Sequence, residues 1–114
     1  MRRLLRSFGY AGSGIVSAVS SQANMQIHVV CAVIVNAAGL LIGLSRMEWI
    51  VIIAAQTAVL AAELMNTAVE HVVDLVSPEK HPLAKAAKDT AAGGVLLTAI
   101  GAVIIGLFVF IPHL

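Results

Sequence analysis

The sequence predicts an all-α integral membrane protein, with an N-terminal amphipathic surface helix and three transmembrane helices. Three observations carry that expectation. Of the 114 residues, 60% are hydrophobic, more than the core of so small a soluble domain can hold. Only 11% are charged. The apolar residues also fall in three runs, each long enough to cross a bilayer at about 1.5 Å of rise per residue. A chain of this length predicts one domain, 1–114.

Residues 1–22, "MRRLLRSFGYAGSGIVSAVSSQ", mix apolar, basic and small side chains. As a helix, Leu4, Leu5, Phe8, Ile15 and Val19 share one side, with Arg2, Arg3 and Arg6 elsewhere. That pattern suits a helix lying on a membrane surface. Gly9, Gly12 and Gly14 weaken helix propensity and suit close packing or a bend. No uninterrupted apolar core follows the basic residues, so no cleavable signal peptide is expected.

The first span is read at 26–44, around "IHVVCAVIVNAAGLLIGL". "SRMEW" (45–49) is a polar turn ending in an interfacial tryptophan. The second span, 48–76, starts as an apolar run and acquires polar residues on one side near its end. "SPEKHPLAK" (77–85) holds two prolines and breaks the pattern. The third span is placed at 85–111.

Orientation follows from the lysines and arginines. Arg2, Arg3 and Arg6 precede the first span, Lys80, Lys85 and Lys88 precede the third, and only Arg46 lies in the turn between the first two. The positive-inside rule then predicts a cytoplasmic N-terminus and 77–88 loop, with the C-terminus outside. A net charge of +1 and few aromatics argue against a nucleic-acid partner. The single cysteine, Cys31, reads as a buried structural thiol within an apolar run.

The stretch "AAELMNTAVEHVVDLV" (61–76) is unusual for so apolar a chain. With Glu63 set at zero, Asn66, Glu70 and Asp74 fall at about −60°, −20° and +20° around a helix. Such a stripe should not face lipid, because an ionised carboxylate there must be paired or hold a metal. Glu63 and Glu70 lie two turns apart, roughly 10 Å along the axis, which suits one catalytic base and one metal ligand. The competing reading, a helix end that has left the membrane with solvated charges, suits Glu70 and Asp74 better than Glu63. Glu63 directly follows the charge-free run 49–62.

A second cluster, "EKHPLAKAAKD" (79–89), sets Lys80, His81, Lys85, Lys88 and Asp89 before the third span. Cations at a membrane surface suit phosphate, of a lipid or a nucleotide, although orientation by the positive-inside rule would place them there too. No Walker-type phosphate loop exists. Carboxylates for Mg²⁺ with lysines for phosphate would form an unusual phosphoryl-transfer site. At "SSQANMQIHVV" (20–30), His28 reads as a hydrogen-bonded interfacial residue rather than a catalytic one. Asn36, deep in the first span, is expected to bond a neighbouring helix.

Together these residues resemble the small prokaryotic diacylglycerol kinase family, which includes the undecaprenol kinases of Gram-positive bacteria. "ELMNTAVEHVVD" resembles the family's E-x-x-N-[ST]-A-[IV]-E-x-x-V-D, and "HPLAKAAKDTAAGGVLL" its second motif. "HPLAKAAKD" with N-x-x-I-H at 24–28 looks more like the undecaprenol-kinase branch. The resemblance implies a homotrimer in the bacterial cytoplasmic (inner) membrane, with sites between protomers near the cytoplasmic interface. It implies transfer of the γ-phosphate of ATP, carried with Mg²⁺, to the primary hydroxyl of a membrane lipid alcohol, undecaprenol first. Glu63 would be the general base, with Asn66 beside it, and Glu70 would bind Mg²⁺. Lys88 and Asp89 would contact the nucleotide, bordered by Glu79, Lys80, His81, Tyr10 and Arg3. At the position of Gln22 the family pattern carries a glutamate that shares the metal. Gln22 is therefore a weakened nucleotide and metal contact, or another group supplies the charge.

Two other readings compete. A diacylglycerol kinase making phosphatidic acid uses the same kind of acceptor. A small ion-coupled transporter subunit, or a non-catalytic scaffold, belongs to another class. A transport pathway should carry polar groups along its whole span, whereas 49–62 offers only Gln56 and Thr57.

Overall fold

Four helices and a final 3-10 turn account for nearly every residue in a computed structural model, which describes residues 1–114. Helix α1 covers Arg2–Ser21, α2 Ala23–Ile42, α3 Arg46–Val76 and α4 Pro82–Phe110, followed by the turn Ile111–His113. Each of α2, α3 and α4 is long and apolar enough to cross a membrane. The chain is an all-helical protein with three membrane-spanning helices.

Each boundary has a local cause. Gln22 is extended between α1 and α2 (φ −102°, ψ 116°), so these helices meet at a bend without a loop. The Gln26 side-chain amide reaches back across the bend and donates to the carbonyls of Val19 (3.0 Å) and Ser20 (3.3 Å). Those carbonyls are among the ones a helix end leaves unpaired. Gly9, Gly12 and Gly14 do not interrupt α1.

The turn after α2 rests on Gly43, which sits at φ +83° in the left-handed region that favours glycine. The Gly43 and Leu44 N–H groups both donate to the Gly39 carbonyl, at 2.9 and 3.3 Å. Ser45 then opens α3 with a reciprocal cap. Its Oγ accepts from the Glu48 N–H at 3.2 Å, and Glu48 Oε1 accepts from the Ser45 N–H at 2.9 Å. The polar turn is therefore shorter than 45–49, and Trp49 already belongs to α3. Its ring lies over Gly39, where an added Cβ would sit 2.8 Å from Trp49 Cη2. Gly39 is thus a point of close approach between α2 and α3.

The first two spans begin slightly earlier than the sequence reading places them, at Ala23 and Arg46, and the third begins at Pro82 rather than 85. Proline fits the first helical turn, where its missing N–H costs nothing. His81 caps that turn, its Nδ1 accepting from the Leu83 N–H at 3.1 Å.

α3 runs antiparallel to both α2 and α4, and packs more extensively along α4. Its start is tied to the chain's end by Glu48 Oε2 and His113 Nε2, 2.8 Å apart. Its end is tied to the start of α4 by the Asp74–Lys88 ion pair. Midway, Gln56 Nε2 donates to Asn36 Oδ1 at 3.0 Å, the interhelical bond expected of Asn36. A small apolar cluster of Leu44, Ile52 and Val109, with Trp49, Val35 and Phe110 against it, closes the end near Gly43.

Only 10 of 114 residues are buried within the chain. This is the outside-facing pattern of helices whose solvent is lipid rather than water. It also corrects the reading of Cys31, which is exposed on α2. A single layer of three long helices has too little interior to cover it.

Nothing lies within 4 Å of a Cβ added at Gly43, so substitution there tests the backbone alone. Gly43→Ala is expected to lower stability by about 1–2 kcal/mol, and Gly43→Asn by less. Thermal unfolding in detergent micelles measures this. Equal stability of all three proteins would show that the left-handed turn is not needed.

Candidate active site

Positions 63, 66, 70 and 74 recur at steps of three and four, so α3 presents them on one stripe. Burial falls steadily along it. Glu63 is 2% exposed and Asn66 7%, Glu70 is half-buried and Asp74 exposed. The solvated-helix-end reading therefore holds for Asp74 and fails for Glu63.

Glu63 faces α2. His28 Nε2 stands 3.1 Å from Glu63 Oε1, close enough for an ion pair, but the angles leave Glu63 Oε1 without a hydrogen bond. One turn on, Asn66 Nδ2 donates to Glu70 Oε1 at 3.2 Å. That bond fixes the Asn66 amide and leaves its Oδ1 buried and unpaired. Two neighbouring side chains thus hold buried oxygens that lack a donor, which is costly in a folded chain and calls for a ligand or bound group.

An apolar groove opens on one side of this cluster. It has a volume of about 300 Å³ and runs between α2, α3 and α4 from Ile27 and His28, past Cys31, Val59 and Ala99, to Phe110. Its volume lies at the lower end of the range for small-molecule sites. His28 gives it a polar end beside Glu63.

A polar cleft of about 670 Å³ opens on the other side, where α3 ends and α4 begins. It gathers Glu79, Lys80, His81, Lys88 and Asp89, together with Asp74 and Lys85. Lys88 pairs with Asp74 and Lys85 with Asp89. Surface pairs of this kind contribute about 0–1 kcal/mol, so an incoming phosphate can take over either lysine at little cost. His81 has its Nδ1 committed to the cap of α4, which leaves Nε2 to carry the proton.

The sequence-predicted residues thus form two groups, Glu63–Asn66–Glu70 and the 79–89 cleft, joined by the α3 stripe through Asp74. Three do not join them within one chain. Arg3 and Tyr10 are exposed on α1, and Gln22 is half-buried at the α1–α2 bend. None of the three lines the cleft. The reading of His28 as a hydrogen-bonded interfacial residue did not name Glu63 as the group it faces. Its signal was positional: steps back along α2 and forward along α3 from the Gly43 turn reach Asn36 and Gln56, and two turns later His28 and Glu63.

No group of three or more His, Cys, Asp or Glu side chains converges within the chain. Mg²⁺, however, is commonly held by one or two carboxylates plus substrate phosphates and water. The half-buried Glu70 carboxylate and the unpaired Asn66 Oδ1 are hard oxygen donors of the kind it takes.

Comparison with known proteins bears on the whole arrangement. The family profile "Prokaryotic diacylglycerol kinase" matches residues 9–110. The chain is 44% identical over 114 residues to an undecaprenol kinase of Bacillus subtilis, covering 100% of this chain and 93% of that one. It is 46% identical over 112 residues to a diacylglycerol kinase of Synechocystis, covering 97% of this chain and 64% of the relative. A diacylglycerol kinase of Pseudomonas aeruginosa is 38% identical over 102 residues, 88% of this chain and 83% of that one. A carboxylate buried between membrane helices, set between an apolar groove and a lysine-bearing cleft, has the makings of a phosphoryl-transfer site for a lipid, and the chain belongs to the prokaryotic diacylglycerol kinase family as an ATP-dependent lipid kinase of the membrane.

Proposed function

We propose that the chain phosphorylates undecaprenol, moving the γ-phosphate of Mg-ATP onto the lipid's primary hydroxyl. One observation carries the assignment of roles: a single stripe of α3 leads from the apolar groove, through buried Glu63, to the lysine-bearing cleft. An amphipathic alcohol fits the groove with its hydroxyl at Glu63. A nucleotide fits the cleft with its phosphates at Lys88. The undecaprenol kinase name of the full-length Bacillus relative supports the choice of acceptor. The diacylglycerol kinases among the relatives make diacylglycerol the second acceptor to test.

Glu63 is the general base and takes the proton of the attacking hydroxyl. An ordinary carboxylate is a weak base for an alcohol, so holding the reactants in line carries much of the rate. Asn66 fixes Glu70 through its amide and shapes the site. Glu70 holds the Mg²⁺ that arrives with ATP, and Gln22 occupies the second metal position with a neutral oxygen. Held there, the metal would supply positive charge to offset the phosphates. Lys88 neutralises phosphate charge and Asp89 contacts the nucleotide, with Glu79, Lys80 and His81 around it.

The working form is a homotrimer with sites between protomers. Support comes from the small interior of the single chain and from Arg3 and Tyr10, which stand away from their own cleft. α1 lies on the membrane surface. The N-terminus and the 77–88 loop face the cytoplasm, as the basic residues at 2, 3, 6, 80, 85 and 88 favour.

The deciding experiment is phosphate transfer from ATP in mixed micelles, with undecaprenol and diacylglycerol offered separately. Faster transfer to undecaprenol is the expected result, and faster transfer to diacylglycerol would replace the acceptor. Transfer to neither would remove the proposed reaction. Glu63→Gln is expected to lower kcat by about 10²–10⁴-fold with ATP binding retained, as read by nucleotide titration. Equal loss of binding would make Glu63 a metal or structural residue instead. Gln22→Glu is expected to lower the Mg²⁺ concentration giving half-maximal rate, because a hard cation prefers an anionic oxygen. An unchanged Mg²⁺ requirement would place Gln22 outside the metal site.

A further inference from the structure

Glu63 is the most deeply buried charged residue of the chain, and one nitrogen-bearing side chain of another helix stands within ion-pair distance of it. No lysine, arginine or second histidine approaches its carboxylate within ion-pair distance; His28 alone does. The Asn66 amide, one turn away, already donates to Glu70. A carboxylate in such a place has two chemically equal oxygens and nothing else to choose between them. His28 Nε2 lies 3.1 Å from one of these, Oε1, off the angle for a hydrogen bond. Catalytic hydrogen bonds are often misaligned before substrate binds and tighten in the reacting complex.

We propose that His28 is a positioning residue for the transfer reaction: its Nε2–H holds Glu63 Oε1, so that Oε2 is the oxygen presented to the lipid alcohol. The proposal rests on the reading of Glu63 as general base. The ring suits the task by its place. It is 24% exposed and lines the end of the apolar groove, so a hydroxyl coming up the groove reaches His28, with Glu63 Oε1 3.1 Å from its Nε2. Neutral imidazole with the proton on Nε2 and imidazolium both donate from that nitrogen. In the step itself, the alcohol oxygen forms a bond to the γ-phosphorus. The bond from that phosphorus to the β-phosphate oxygen breaks, and its electron pair leaves on ADP. The alcohol proton passes to Glu63 Oε2. His28 neither gains nor loses a proton, and its effect is on where the base points.

The test uses the full chain in mixed micelles with undecaprenol and Mg-ATP, comparing His28→Ala, His28→Gln and Glu63→Gln. His28→Ala should lower kcat about 10- to 100-fold, the cost of a base that is free to turn. KM for ATP and for lipid should stay within about two-fold of the unsubstituted protein, because His28 acts on the base and not on binding. His28→Gln, whose amide N–H can occupy the place of Nε2–H, should recover most of the lost rate. A kcat for His28→Ala within about two-fold of the unsubstituted protein would overturn the proposal. So would a loss confined to KM, or a glutamine variant as slow as the alanine one.

Thermal unfolding supplies a second readout as a double-mutant cycle. His28→Ala should shift the unfolding midpoint less in a Glu63→Gln background, where no buried charge is left without its partner. Equal shifts in both backgrounds would mean that the two side chains do not interact, and would also overturn the proposal. Full activity of Glu63→Gln would remove the base assignment and the role of His28 with it. An inactive Glu63→Gln beside a fully active His28→Ala would remove only the role of His28.

Discussion

A carboxylate placed between apolar helices must be given a partner or a task, and much of this chain's architecture follows from Glu63. The residue is sealed to 2% exposure, in surroundings where an unpaired charge costs several kcal/mol. It is approached by His28 from the neighbouring helix. The same helix that buries Glu63 also carries Asn66, Glu70 and Asp74 outward at one-turn steps. Charge is thus introduced gradually, from a fully enclosed carboxylate to one paired with Lys88 in the open. Groups set on one helix gain from that arrangement, because the spacing between them is fixed by helix geometry rather than by loops.

The register between α2 and α3 is what makes the pairing possible. Gly43 turns the chain in a left-handed conformation, Ser45 and Glu48 cap each other, and Gly39 lets the Trp49 ring lie against α2. Asn36 and Gln56 then meet partway down. A net interhelical bond of this kind contributes modestly, about 0.6 kcal/mol on average in membrane proteins. Its value lies in phasing. A slip of one residue along either helix rotates its face by about 100° and would part His28 from Glu63.

Much of this was legible in the sequence, and the exceptions share a cause. The three spans could be read because hydropathy and length act locally. The stripe 63–74 could be read because helical periodicity needs only spacing. Proline 82 was taken as a breaker, although the same ring suits a first helical turn when a cap such as His81 precedes it. Cys31 was expected inside because apolar runs are usually buried, a rule that fails where the solvent is lipid. The approach of His28 to Glu63 was not foreseen because it depends on a residue of another helix, which spacing within one helix does not reveal. Nothing local marks a histidine at the start of an apolar run as the partner of a glutamate beyond the next turn.

The ends of the bundle differ in a way that reaches beyond the site. At the Gly43 end, the cap, the Glu48–His113 pair and the Leu44–Ile52–Val109 cluster leave no buried polar side-chain atom without a partner. At the Glu63 end, two buried oxygens have none. The molecule is therefore polarised along its axis, with a saturated pole that sets the shape and an unsaturated pole whose buried oxygens lack donors. Sequence change has different consequences at each. At the saturated pole it removes partners that hold the helices together, and at the other it meets oxygens on which no hydrogen bond of the chain depends.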